Sequence, residues 1–212
     1  MSTSAHTQLP DWADYPYPIK GTTGGFLRTN LIICGGLGPK LEVSDECHNI
    51  NQKTTKTLTK MQSKRYEAAS VIIREKYLWV SGGNDGFGTL SSTELIEIGT
   101  TAGPEMPTAL EGHEMININD SFTLLVGGSS AGEEQSASFY FDHTKTHPEE
   151  NQWSDGPKME KGRKHFAVGV VTDKTTLKKF VVVTGGLGVD GALTSTEFLL
   201  KDIWLEGEIT HH

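Results

Sequence analysis

Four short apolar runs of β character punctuate the chain, and each ends in a glycine doublet. They read Leu31-Ile32-Ile33-Cys34 before Gly35-Gly36, Leu78-Trp79-Val80-Ser81 before Gly82-Gly83, Leu124-Leu125-Val126 before Gly127-Gly128, and Val181-Val182-Val183-Thr184 before Gly185-Gly186. From Gly35 to Gly82 is 47 residues, from Gly82 to Gly127 45, and from Gly127 to Gly185 58. Recurrence at such a period predicts stacked units, each of which buries its apolar face only against a neighbour. Further strand-like runs are predicted around Asp45–Asn51, Thr57–Met61, Tyr66–Ile73, Leu90–Ile98, Ala137–Asp142 and Phe166–Thr172. The first unit shows no convincing innermost strand. Ahead of it, Met1–Thr23 reads as an extended arm: Pro10, Pro16 and Pro18 oppose helix, and Trp12, Tyr15 and Tyr17 supply apolar surface. The arm is expected to pack back on the first unit, to complete a sheet, or to meet a partner.

The units also echo one another in detail. Leu90-Ser91-Ser92-Thr93-Glu94-Leu95 starts seven residues after Gly83, and Leu193-Thr194-Ser195-Thr196-Glu197-Phe198 starts seven after Gly186. Trp153 and Gly156 return as Trp204 and Gly207. The third unit carries the fullest set: the doublet, Tyr140, Trp153, Met159, Arg163 and His165. In this order, the features from residue 24 to 212 resemble the kelch-repeat family. The second unit lacks the tryptophan and has Ala109-Leu110 near the arginine position, and the first also lacks the tryptophan. The resemblance implies an all-β fold, a kelch-type β-propeller with about four blades of four antiparallel strands, either a closed small ring or a partial propeller. It also implies that the tryptophan fills the gap between blades and that arginine and histidine satisfy buried carbonyls.

Composition narrows the function classes. A net charge of −8 disfavours nucleic acid and anionic membrane surfaces as partners. The sequence has no apolar run long enough to span a bilayer and no signal-type apolar segment, which leads to the expectation of a cytoplasmic protein. With two cysteines only, Cys34 and Cys47 are expected to be free buried thiols, although adjacent strands would allow a bridge.

Candidate chemistry is sparse. His143 and His147 are four apart, but Pro148 follows in the same loop, so a helical ligand pair is not expected. His113 and His165 fall near the kelch histidine, a structural place. The acidic pairs Glu133-Glu134 and Glu149-Glu150 read as solvated loop charge, and no helix follows the glycine-rich stretches, which rules out a phosphate loop. Neither a cofactor nor a metal is expected. The favoured reading is a non-catalytic module binding a protein or peptide through the loops that follow the doublets, with Leu37, Lys40, Asn84, Asp85, Phe87, Ser129, Glu133, Glu134, Leu187 and Asp190 as candidate contacts. The alternative is a kelch-like enzyme or carbohydrate-binding propeller with a central pocket. Unsatisfied terminal blades would favour self-association.

Overall fold

The computed structural model describes residues 13–51, 54–145, 152–200 and 203–207, with 200 and 203–207 described by backbone alone. Trp12 and most of the arm, His147, Glu149, Glu150, His211, His212 and the side chain of Trp204 lie outside the described residues.

Four four-stranded antiparallel sheets follow one another along the chain. The first is β1 (Thr23–Leu27), β2 (Asn30–Cys34), β3 (Glu46–Ile50) and β4 (Thr55–Lys60), in that spatial order. The second is β5 (Ala69–Ile73), β6 (Tyr77–Ser81), β7 (Thr93–Ile96) and β8 (Thr100–Ala102). The third begins with β9 (Glu114–Asn117) and β10 (Phe122–Val126); a small hairpin, β11 (Ser129–Ser130) with β12 (Glu133–Glu134), intervenes before β13 (Ser138–Asp142) and β14 (Trp153–Asp155). The fourth opens with β15 (Ala167–Thr172) and β16 (Lys179–Thr184), passes through the hairpin β17 (Leu187–Gly188) and β18 (Gly191–Ala192), and ends with β19 (Thr196–Leu200) and β20 (Ile203–Gly207).

The innermost strand absent from the sequence reading is β1. Its Gly24-Gly25 core has poor strand propensity, which hides it. The backbone explains the glycine: a Cβ on Gly24 would stand 2.3 Å from the Ile32 carbonyl oxygen.

The register places the same stations in every sheet. Cys34 faces Cys47, Ser81 faces Thr93, Val126 faces Ser138 and Thr184 faces Thr196, each pair next to a doublet. In the first sheet this station holds a disulfide between Cys34 and Cys47, correcting the expectation of two free thiols. The neighbouring Gly35 N–H donates to Glu46 O, so Cys34 and Cys47 form the close, non-hydrogen-bonded kind of pair, with Cα atoms 4.0 Å apart. That proximity lets two thiols meet across one rung.

Three apolar cores separate the sheets. Ile32, Cys34 and Cys47 meet Leu78, Val80 and Ile96 between the first and second. Trp79 and Ala69 meet Leu125, Phe141 and Trp153 between the second and third. Leu124 and Val126 meet Val181, Val183 and Leu199 between the third and fourth. Among the described residues no such core joins the fourth sheet to the first, and residues 13–20 of the arm lie along the first sheet. There Ala13 N–H donates to Asn51 O, Thr55 Oγ1 donates to Asp14 O, and the Tyr15 and Tyr17 rings meet the His48 ring edge-on.

No helix among the described residues is long and apolar enough to cross a membrane.

Candidate functional site: the loop face

Each doublet turns the chain where strands crowd. All eight doublet glycines have positive φ, from 57° to 112°, a region glycine enters without steric cost. Space is as restrictive as the dihedral: a Cβ on Gly35, Gly82 or Gly127 would lie 2.3, 2.4 or 2.7 Å from the carbonyl oxygen of Arg65, Leu110 or Arg163.

Those three residues belong to the linkers between successive sheets, and each linker is tied to both neighbours. Arg65, Leu110 and Arg163 accept through their carbonyls from the N–H of Gly36, Gly83 and Gly128 in the sheet before. The next residue in each linker then pairs with the sheet after: Tyr66 with Asn84, Glu111 with Ser129, Lys164 with Leu187. In the arm, Lys20 pairs with Leu37 in the same way. Four sequence candidates, Leu37, Asn84, Ser129 and Leu187, therefore anchor the loop face through their backbones.

Two linkers also insert a charged side chain into the next sheet. The buried Arg65 donates from Nη1 to the carbonyls of Gly82 (2.6 Å) and Ser92 (3.0 Å), and from Nη2 to Glu94 Oε1 (2.7 Å) and Ser92 Oγ. Arg163 repeats this pattern on Gly185, Ser195 and Glu197, with Nη2 2.6 Å from Glu197 Oε1. Each carboxylate also accepts two linker N–H groups, from Gln62 and Ser63 at Glu94 and from Glu160 and Lys161 at Glu197. Met159, four residues before Arg163, is buried in the third core, and Met61 has the same spacing to Arg65. That spacing, with the Thr-Glu echo, is the signal that could have identified Arg65, Glu94 and Glu197 from sequence.

One residue further on, Gly21, Glu67, Gly112 and His165 converge. Glu67 N–H donates to Gly21 O, Gly112 N–H to Glu67 O, and His165 N–H to Gly112 O. All four have φ between 53° and 64°. A left-handed glutamate and histidine are uncommon, and their side chains meet: Glu67 Oε2 lies 2.8 Å from His165 Nε2. Glycine at position 112 makes room, since a Cβ there would be 2.6 Å from His165 Cδ2. Beside them, burial pushes the Glu114 carboxyl up to about 7 against the opposing pull of His165. His113 lies one station away from His165, facing the core: it bonds Ser81 Oγ at 2.8 Å, and burial, then the Arg65 charge, depresses it to about 3. The two histidines that the sequence suggested as alike thus have different places.

Around this centre stand the loops after the doublets, each closed at its base by a backbone bridge or hairpin: Leu37 with Val43, Asn84 with Thr89, β11 with β12, and β17 with β18. Three of the four present a large apolar side chain to solvent: Leu41 is 73% exposed, Phe87 101% and Val189 88%. The Phe87 loop is braced from within. Asp85 Oδ1 accepts from Phe87 and Gly88 N–H, Asn84 Oδ1 accepts from Gly86 N–H, and Asn84 Nδ2 donates to Glu111. Those N–H groups hold the Asp85 carboxyl below its ordinary value. A cavity of about 330 Å³ beside Leu41 is lined by Pro18, Lys20, Leu37 and Pro39.

The charged loop candidates are placed differently. Glu133 is exposed at the β11–β12 hairpin, Glu134 pairs with Lys164 at 3.4 Å, and Lys40 and Asp190 are exposed. Of the apolar anchors, sequence reasoning selected Phe87 but not Leu41 or Val189. A lone apolar residue within a loop carries no periodic signal.

Chemically, the centre offers a carboxylate–imidazole pair beside a carboxyl that burial raises to about 7. Among the described residues no serine, threonine or cysteine is hydrogen-bonded to His165, and no group of three or more potential metal ligands is gathered. No family model matches this chain, and no curated protein matches it.

Proposed function

We propose that this chain is a non-catalytic interaction module of the kelch-propeller type, which captures a protein or peptide on the loop face. The observation that carries the reading is the exposure of Leu41, Phe87 and Val189 on the loops that follow the first, second and fourth doublets. Apolar anchors within a polar surround are the usual energetic centre of a protein interface, and the Asx-braced Phe87 loop gives up little entropy on binding. The kelch assignment draws support from the doublets, the repeated stations and the two arginine pins. The disulfide shifts the expected location from the cytoplasm to an oxidising compartment, where such bonds persist.

Selection of a displayed random-peptide library on the intact chain tests the proposal. Selected peptides should lose at least tenfold in affinity against the variant Leu41→Ser/Phe87→Ser/Val189→Ser. Peptides that bind this variant as tightly as the native chain would refute it.

A further inference from the structure

The two ends of the sheet array carry complementary halves of the junction that recurs three times inside it. At each internal junction the second doublet glycine donates its N–H to a linker carbonyl: Gly36 to Arg65, Gly83 to Leu110, Gly128 to Arg163. Among the described residues the fourth such donor, Gly186 N–H, has no backbone acceptor. The arm holds the corresponding acceptor. Because Lys20 pairs with Leu37 as Tyr66 pairs with Asn84, Ile19 stands at the Arg65 station, and its carbonyl accepts no described N–H. The innermost chain of bonds is open at the same ends: Gly21 N–H is without a described backbone acceptor and His165 O without a described donor.

The faces agree with the backbone. Register puts Val182 of the fourth sheet at the station of Ile32, Trp79 and Leu124, all of which are sealed by the following sheet. Val182, its cross-strand partner Phe198 and the 51% exposed Val171 are instead only part-covered. On the first sheet, Leu31 and Ile33 stand where Leu78 and Val80 are fully buried, and both remain half-buried. The first face and the last face are thus the two sides of one further junction.

We propose that a second copy of this chain supplies it, head to tail. Gly186 of each copy docks on the Ile19 carbonyl of the other, and the face of Val171, Val182 and Phe198 packs on the face of Leu31 and Ile33. A head-to-tail contact closes into a ring when its rotation allows. Two copies of four sheets make eight, within the span of known propellers. The negative charge carried by both copies opposes the pairing, so the contact depends on its apolar faces and strengthens as salt screens the repulsion.

Light scattering on the full chain at tens of micromolar in 0.15 M salt should give twice the chain mass of 23.1 kDa. Phe198→Asp, on the last face, and Ile33→Asp, on the first, should each halve that mass, and Val171→Asp at an exposed site provides a second last-face probe if Phe198→Asp loses its fold. Mixing the Phe198→Asp and Ile33→Asp chains should restore a dimer, because one intact junction can then form between them. A native monomer, a ladder of larger species, a dimer indifferent to both substitutions, or two folded variants that stay monomeric when mixed would each overturn the proposal.

Discussion

The junction between the second and third sheets is built differently from those on either side of it. At the first and last internal junctions an arginine enters from the linker and meets a glutamate on the next sheet: Arg65 with Glu94, and Arg163 with Glu197. At the middle junction the linker residue is Leu110. Register places Phe139 at the station of Glu94 and Glu197, facing Leu125 as Glu94 faces Val80. Leu110 is buried in the core that Phe139 packs against, together with Trp79, Phe141 and Trp153, whose rings lie 4.7 to 5.8 Å apart. Both sides of the slot changed together, from a charged pair to an apolar one. The slot demands complementarity rather than a particular chemistry. A buried ion pair and a hydrophobic replacement of similar volume can be nearly equal in stability, whereas half of either is costly.

The largest effect should come from breaking a charged pin on one side. Arg163→Leu leaves Glu197 buried without its guanidinium and should cost about 3–5 kcal/mol in urea unfolding. At the apolar junction the matching disruption is Trp79→Ala. Loss of this fully buried indole should cost about 3–5 kcal/mol, mostly as a cavity. If Trp79→Ala costs less than 1 kcal/mol, the aromatic cluster is not what holds the second sheet to the third. Removal of the Cys34–Cys47 bridge by a double alanine substitution should cost about 2–4 kcal/mol. The oxidised native chain should accordingly melt higher than the reduced one.

A smaller effect separates the groups beside the middle junction by pH. His113 is neutral in the fold to about pH 3, while its unfolded value is near 6.5. Between these values the unfolded chain binds the extra proton, so this residue's contribution to stability falls as the pH drops. Glu114 acts in the opposite direction. Its folded value of about 7 exceeds the unfolded one, so its contribution falls as the pH rises from about 4.5 to 7. In the native chain the two slopes oppose each other. Glu114→Gln should leave the His113 slope uncovered, giving stability that rises with pH from about 4.5 to 6.5; an unchanged pH profile would count against the burial of Glu114.

Much of this architecture was legible in sequence wherever a residue type answers a local constraint. The doublets marked the turns after β2, β6, β10 and β16 because all eight glycines have positive φ, and at Gly35, Gly82 and Gly127 a carbonyl within 3 Å excludes a Cβ as well. The Thr-Glu echo marked β7 and β19 because the same pin needs the same carboxylate. What stayed hidden depends on partners distant in sequence. Innermost β1 holds two glycines that only the approach of Ile32 explains, and Leu110 makes sense only beside Phe139. Glu67 gave no signal, since its role rests on His165, 98 positions away. The bonded cysteines lie 13 residues apart on strands whose register the sequence did not specify.

The claim that each junction is a two-sided slot is tested most directly by a double-mutant cycle that converts the first junction to the chemistry of the middle one. Arg65→Leu and Glu94→Phe are measured singly and together by urea unfolding. Each single change should destabilise by about 3 kcal/mol or more, and the double variant should recover most of that loss. A double variant whose loss equals the sum of its singles would contradict the account.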